Sequence, residues 1–313
     1  MLFPIRCANF STPYAHLNGN TNVDVSILDV VRASMTVGFG GGYSSPFAPS
    51  FWPFHFLHGF SPIIFLDMGP VELLVREGYS ELPKSARGYF SERLGMAFTK
   101  IAADKLLNVR WLAEVEFMER LGLLNFSSSS KERPDLVGPD STGAWHVFEA
   151  KGRLTSRSIR GTLMKAKRQA AAVSLINGVV PRLSVGAVLH TSTTGLMLDF
   201  DDPEPTDRNG FSMQIEDNAF FRAYYGNLID MLSAYDSSKR IIFEKEYDCL
   251  TVTSRGSMRI SIGLLSAIRE RPESAKEILS DMGFGSVGEL TRAMSIGGDG
   301  TAVFSTIDSD IRS

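Results

Sequence analysis

The sequence predicts a mixed α/β fold. Apolar residues recur at three- and four-residue steps in long windows, and alternate at two-residue steps in the segments between them. Clusters of Gly, Pro, Ser and Asp punctuate the two patterns. The composition agrees: 313 residues, 43% hydrophobic and 21% charged, are globular proportions that exclude a largely disordered chain. The length suits one large domain or two ordinary ones.

The N-terminal stretch has no charged leader followed by an unbroken apolar run, so no signal peptide is expected and a cytoplasmic, reducing setting is. Cys7 and Cys249 are too few for a disulfide framework or a four-thiolate zinc site. Between Arg32 and Asp67 there is no charged residue, and aromatics crowd together. Four prolines from Pro46 to Pro62, with Gly38, Gly40, Gly41, Gly42 and Gly59, break any helix long enough to span a bilayer, so no membrane partner is expected. The segment reads as a Gly/Pro-rich loop leading into a buried strand around 63–66. A docking surface for a partner or for nucleobases is the alternative.

A helix is expected over 84–107, with Phe90, Leu94, Phe98 and Ile101 on one stripe, then a strand over 109–118. A polar connection at 127–132 leads to two strands, 133–137 and 144–151, around the turn-rich segment 138–143. A second helix, 156–176, is apolar at Ile159, Leu163, Ala166, Ala170 and Val173, and a β-rich run follows at 183–190. The acidic stretch 199–217 reads as a surface loop; its DDPEPTD run lacks the ligand spacing and terminal Glu of a calcium loop. Beyond it the pattern predicts a helix at 218–234, strands at 240–243 and 248–253, helices to about 294, and a loosely held tail from 295. Residues 274–293 echo a helix-turn-helix faintly and read better as a helical hairpin.

Net charge is −3, from 32 basic and 35 acidic residues, and by itself names no partner. It hides an asymmetry. From Ala150 to Leu198 there is no Asp or Glu, while Lys151, Arg153, Arg157, Arg160, Lys165, Lys167, Arg168 and Arg182 are all basic. Such a block suits phosphate contacts, with a solvated basic face as the plain alternative. Opposite the apolar stripe of the second helix, Ser158, Thr162, Lys165 and Gln169 form a polar row.

Three motifs carry nothing. Gly38–Tyr43 is neither a dinucleotide fingerprint nor a phosphate loop, because Tyr43 stands where the last glycine belongs and no Lys-Ser/Thr follows. His55 and His58 read as a packed or edge pair. His146 faces away from Glu149 on its strand and reads as structural.

The informative segment is ERPDLVGPDSTGAWHVFEAKGR. On a strand, Trp145, Val147, Glu149 and Lys151 form one row, and His146, Phe148 and Ala150 the other. An acid and an amine ending an apolar row are costly unless they have a partner or a cation. In a hairpin centred on Thr142, Asp135 falls opposite Glu149. Two carboxylates so paired repel, and a hard divalent cation is the natural species between them.

Pro134-Asp135 followed by Glu149-Ala150-Lys151, on a hairpin flanked by helices, resembles the PD-(D/E)XK nuclease superfamily. The resemblance implies a restriction-endonuclease-like core, a central mixed β-sheet flanked by helices, running from about Arg87 to His190. On that reading 1–83 is an N-terminal elaboration, 84–200 the nuclease core and 201–313 a C-terminal helical and β extension. It further implies that Asp135, Glu149 and the Ala150 carbonyl hold Mg²⁺, with Mn²⁺ as substitute. Lys151 would orient or deprotonate the attacking water and offset charge in the transition state. Many members add an acid from the preceding helix; Glu92, on a face with Tyr89 and Met96, is the candidate, with a solvated helix acid as the alternative. Glu114 and Glu116 are lesser substitutes. A lysine or glutamine of the following helix, here Lys165 or Gln169, reaches the site in related nucleases. The stricter RecB-like pattern places Tyr four residues after the Gln, where this chain has Val173. Arg153, Arg157, Arg160, Lys165, Lys167, Arg168 and Gln169 would bind nucleic acid.

The reading is therefore an Mg²⁺-dependent nuclease acting on DNA, with RNA possible, in bacterial restriction, phage defence or a mobile element. A homodimer or a partner protein of such a system would accompany it. A non-cleaving nucleic-acid-binding or scaffold module on the same fold is the alternative from another class. A metal-independent hydrolase pairing Glu92 with Glu149 is a third.

Overall fold

The computed structural model describes residues 1–37, 59–69, 72–127, 133–154, 159–193, 195–202, 210–253, 258–282 and 294–307. In chain order these form β1 (Leu2–Ala8), β2 (Gly19–Asp24), α1 (Ile27–Thr36), β3 (Leu66–Met68), β4 (Leu73–Val75), α2 (Gly78–Glu81) and α3 (Lys84–Leu107). Next come β5 (Ala113–Glu114), α4 (Val115–Arg120), β6 (Leu124–Phe126), β7 (Leu136–Pro139), β8 (Trp145–Arg153), α5 (Ile159–Ala171), β9 (Val173–Ile176), β10 (Leu183–Ser192) and β11 (Gly195–Asp201). The remainder is β12 (Phe211–Ile215), α6 (Asp217–Ala234), β13 (Ser238–Ile242), β14 (Lys245–Thr253), β15 (Met258–Leu265), α7 (Ser266–Glu270), α8 (Ala275–Asp281), β16 (Met294–Ile296) and β17 (Thr301–Ile307).

The fold is mixed α/β. Seven strands make the main sheet in the order β2-β1-β11-β10-β8-β7-β5. Its middle is a run of fully buried residues, Val185, Ala187, Val188 and Leu189 on β10 with Val147 and Phe148 on β8, as a sheet covered on both faces demands. β8 and β10 run parallel across α5, whereas β7 is antiparallel to β8 and β5 to β7.

Two glycines set how closely the helices approach. A Cβ on Gly152 would lie 1.7 Å from the Ser91 carbonyl oxygen of α3, and one on Gly186 would lie 2.7 Å from the Lys167 amide of α5. Gly186 pairs with Glu149, one residue out of phase with Gly152, so α3 and α5 cover opposite faces. Only glycine tolerates a helix backbone that near a strand. The apolar rows divide accordingly. Leu136, Phe148, Phe3 and Ile5 pack with Leu94, Phe98 and Ile101 of α3, while Val137 and Val147 join Trp111, Met213 and Phe220 in a second core.

Among the described residues the smaller sheets are β6-β12-β9, β13-β14-β15-β17-β16 and the pair β3-β4. An ionic network welds the five-stranded sheet to the helices. Lys100 of α3 reaches Asp299 in the β16–β17 turn at 3.2 Å and the Arg110 carbonyl at 2.7 Å, and also touches the Tyr224 hydroxyl. Tyr224 donates to Asp299 at 2.6 Å, the Thr301 hydroxyl at 2.6 Å, and Arg32 of α1 lies 3.5 Å away. Burial alone would raise the Asp299 carboxyl; Lys100 and Arg32 hold it well below the ordinary range. No helix among the described residues is long and apolar enough to cross a membrane.

Several local expectations fail for physical reasons. Segment 109–118 is a strand only at Ala113–Glu114 and then turns into α4. Val109, Trp111, Leu112 and Val115 are all buried, so alternation carries no face information, and the Trp111 carbonyl projects where a Cβ on Gly138 would sit 1.6 Å away. The expected second helix stops at Ala171, because Val173–Ile176 pairs in parallel with β12. The acidic stretch is not a surface loop throughout: Asp199 and Asp201 lie on β11 at 1% and 7% exposure, and 211–215 is a strand. Residues 203–209 lie outside the described residues. Of the helices expected to 294, α7 and α8 form, but β15 precedes them and crosses the centre of the five-stranded sheet, and the expected loose tail holds β17 and the buried Ser295 and Asp299. Around 63–66 the chain forms a 3-10 helix, Ser61–Phe65, before β3. Residues 38–58, with His55 and His58, and 283–293 lie outside the described residues.

Candidate active site

β7 pairs with β8 so that Leu136 faces Phe148, Val137 faces Val147 and Pro139 faces Trp145. One step further sets Asp135 opposite Glu149, the pairing that a hairpin centred on Thr142 requires. Asp140 closes the loop end. Its carboxylate accepts from the Thr142 N–H (2.8 Å), the Thr142 hydroxyl (2.6 Å) and the Ala144 N–H (3.0 Å), and meets His146 Nε2 at 3.1 Å and Arg182 at 3.3 Å. His146 is thereby structural and faces away from Glu149, as its place on the strand predicts.

The two acids are stitched crosswise. The Asp135 N–H donates to Glu149 Oε2 at 3.0 Å, and the Ala150 N–H donates to Asp135 Oδ2 at 2.9 Å. Lys151 Nζ donates to Asp135 Oδ2 at 3.2 Å and bridges to Glu149 Oε1. The Glu149 side chain is fully buried, whereas those of Asp135 and Lys151 are 30% and 29% exposed. Burial, and then the Asp135 charge, pushes the Glu149 carboxyl up to about 7. Burial also raises Asp135. For Lys151 burial works downward, but the Asp135 and Glu149 charges outweigh it and hold its pKa above the ordinary lysine value.

This cluster opens on a cleft of about 530 Å³ between α3 and α5, lined by Gly88, Glu92, Ala150, Lys151, Gly152, Arg153, Gly161, Thr162 and Lys165. The close approach of α3 at Gly152 carries Glu92 to one wall. The first turn of α5 supplies the other, where Arg153 Nε donates to Thr162 Oγ1 at 3.2 Å. Lys151 and Arg153 from the strand end and Thr162 and Lys165 from α5 thus line one opening opposite Glu92 of α3, a suitable seat for an anionic, phosphate-bearing ligand.

Asp135, Glu149, Ala150 and Lys151 come together. Glu92 faces the same cleft but is exposed, not partly buried between Tyr89 and Met96. On α5, Arg160, Lys165 and Arg168 are exposed, Lys165 on the cleft side. Lys167 points the other way, ion-paired with Asp201 at 2.8 Å. Gln169 is half-buried, and its Oε1 has no hydrogen-bond partner among the described residues. Arg157 and Ser158 lie outside the described residues. Sequence reasoning undervalued Glu114. It sits opposite Leu136, the Val115 N–H beside it donates to the Asp135 carbonyl at 3.0 Å, and burial pushes its carboxyl up to about 7 against the pull of Arg93. Its signal was there to read: an acid directly between Ala113 and Val115, after the apolar run Trp111–Ala113.

The donor set suits a hard divalent cation. It is oxygen-only, and the two carboxylates already converge on a cation, the Lys151 ammonium. Among the described residues no group of three or more His, Cys, Asp or Glu side chains is placed to hold a metal ion, so Glu92 does not complete the pair. Comparison with family models, curated proteins and solved structures finds no match for this chain.

Proposed function

We propose that this protein is a divalent-cation-dependent nuclease, with Asp135, Glu149 and the Ala150 carbonyl holding Mg²⁺ and Lys151 serving the reaction. The observation that carries the reading is the convergence of Asp135 and Glu149 on one ammonium at the mouth of a basic cleft. The element order supports it. In the main sheet a long helix leads to three antiparallel strands, then a helix and a strand parallel to the third, with α4, β6 and β9 inserted outside that sheet; this is the arrangement of the restriction-endonuclease-like core that the PD-(D/E)XK resemblance implies.

When bound, the cation supplies charge on the phosphoryl oxygens and an acidified water. The remaining work belongs to the chain. Arg153, Thr162 and Lys165 hold the substrate backbone over the cleft, and Lys151 places a positive charge where the transition state becomes more negative. DNA is the proposed substrate, in a cytoplasmic setting of restriction, phage defence or a mobile element, with RNA as the other nucleic acid to test.

A digestion panel over single- and double-stranded DNA and RNA, with and without Mg²⁺ or Mn²⁺, tests the reading. Cleavage should need the cation and vanish in Lys151→Ala while DNA binding persists. Cleavage in chelator, or cleavage untouched by Asp135→Ala, rejects the assignment.

A further inference from the structure

Glu149 has only one oxygen to offer a cation. Oε2 is turned to the backbone and accepts the Asp135 N–H. Oε1 is sealed from solvent and covered by the Lys151 ammonium. The same ammonium also engages Asp135. Any ion that coordinates Glu149 through Oε1 must therefore displace Lys151. The lysine has somewhere to go, since it lines the cleft and its side chain is 29% exposed.

We propose that Lys151 is a built-in competitor for the cation seat, so that loading the divalent ion and delivering the lysine into the cleft are one exchange. This rests on the metal-dependent reading above and adds its regulation. Without the divalent ion the ammonium neutralises the carboxylates and is withheld from substrate. With the ion in place, the charge formerly spent on Glu149 faces the phosphate. Cation binding and lysine presentation are then coupled in both directions, as linkage requires.

The test is Mg²⁺ binding followed by calorimetry in the absence of nucleic acid, for the wild type, Lys151→Met and Glu149→Gln. Lys151→Met keeps the stem and removes the charge, and should bind Mg²⁺ about tenfold tighter or more, because a cation no longer has to be expelled from the two carboxylates. Glu149→Gln should abolish the binding. In the wild-type protein with ¹³Cε-labelled lysine, the Lys151 resonance should move on Mg²⁺ addition while that of the sealed Lys100 stays, which keeps the test alive if Lys151→Met does not fold. Equal affinity in wild type and Lys151→Met, or a Lys151 resonance unmoved while Mg²⁺ binds in a Glu149-dependent way, overturns the exchange alone. No Mg²⁺ binding that Glu149→Gln removes, in either background, overturns the metal-dependent reading and the exchange with it.

Discussion

Two lysine–carboxylate clusters flank α3, and they differ in what their charges have left to do. Around Asp299 the groups are sealed in. Lys100, Tyr224, Thr301 and Arg32 surround it, and neither Lys100 nor Asp299 is more than 1% exposed. Around Glu149 the acid is equally buried, but its one cation among the described residues, Lys151, sits on a cleft and is partly solvated. A buried ion network with several counter-charges and no opening is a structural joint. One whose counter-charge among the described residues can leave through an opening is poised for exchange. Composition does not separate the two; access and saturation do.

The largest effects should divide along that line. Glu149→Gln and Asp135→Asn should reduce cation-dependent cleavage to background while both proteins still fold cooperatively. Asp299→Ala should cost about 3–5 kcal/mol in urea denaturation, since it removes the carboxylate that faces the buried Lys100 and one of the three that face Arg32. An Asp299→Ala protein as stable as the wild type would show that the sealed network is not a joint. Next in size, Gly152→Ala puts a methyl 1.7 Å from the Ser91 carbonyl, so α3 must lift from β8. It should lose about 1–3 kcal/mol and, with Glu92 shifted, cleavage as well. Unchanged stability there would mean the contact relaxes freely.

The contrast also has a pH form. The Glu149 carboxyl rises from an ordinary 4.5 to about 7 on folding, so the folded chain binds that proton more tightly. Its contribution is full below 4.5 and is lost as pH climbs toward 7. Asp299 is the reverse: held below its ordinary 3.8, it stabilises above that value and the gain disappears as pH falls through the folded pKa. Measured without divalent cation, the stability difference between wild type and Glu149→Gln should shrink from pH 4.5 to 7, and that for Asp299→Asn should shrink on acidification below 4. A flat curve for either removes that half of the contrast. The smallest effect concerns α5. Lys165→Ala and Arg160→Ala should each lower the salt slope of DNA binding by about 0.9, read by anisotropy across salt concentrations, and Lys167→Ala should leave it unchanged. A slope change at Lys167 would mean that its bond to Asp201 opens on binding.

The helices α3 and α6 and the hairpin carrying Asp135 and Glu149 were legible because their patterns are local: 3.6-residue stripes, two-residue alternation, and a turn whose centre sets the register. β15 and β1 were missed, although Ile260, Ile262 and Leu264 alternate in the one and Phe3, Ile5 and Cys7 in the other. The acidic stretch misled because its charges looked solvated. Asp199 and Asp201 are buried only because Arg6, His190, Lys167 and Asn9 reach them from distant parts of the chain.

From residue order alone come the hairpin, the identity of the acids and lysine on its face, and the acid-free basic run behind them, since each depends on neighbours a few positions apart. Long-range packing alone shows that Lys167 faces Asp201, that Glu92 lies at the cleft rim instead of completing the acid pair, and that Lys100 and Lys151, alike as residues, are sealed in one case and open in the other. Charge placement depends on which solvent and which distant partner a side chain meets, and no local periodicity encodes either.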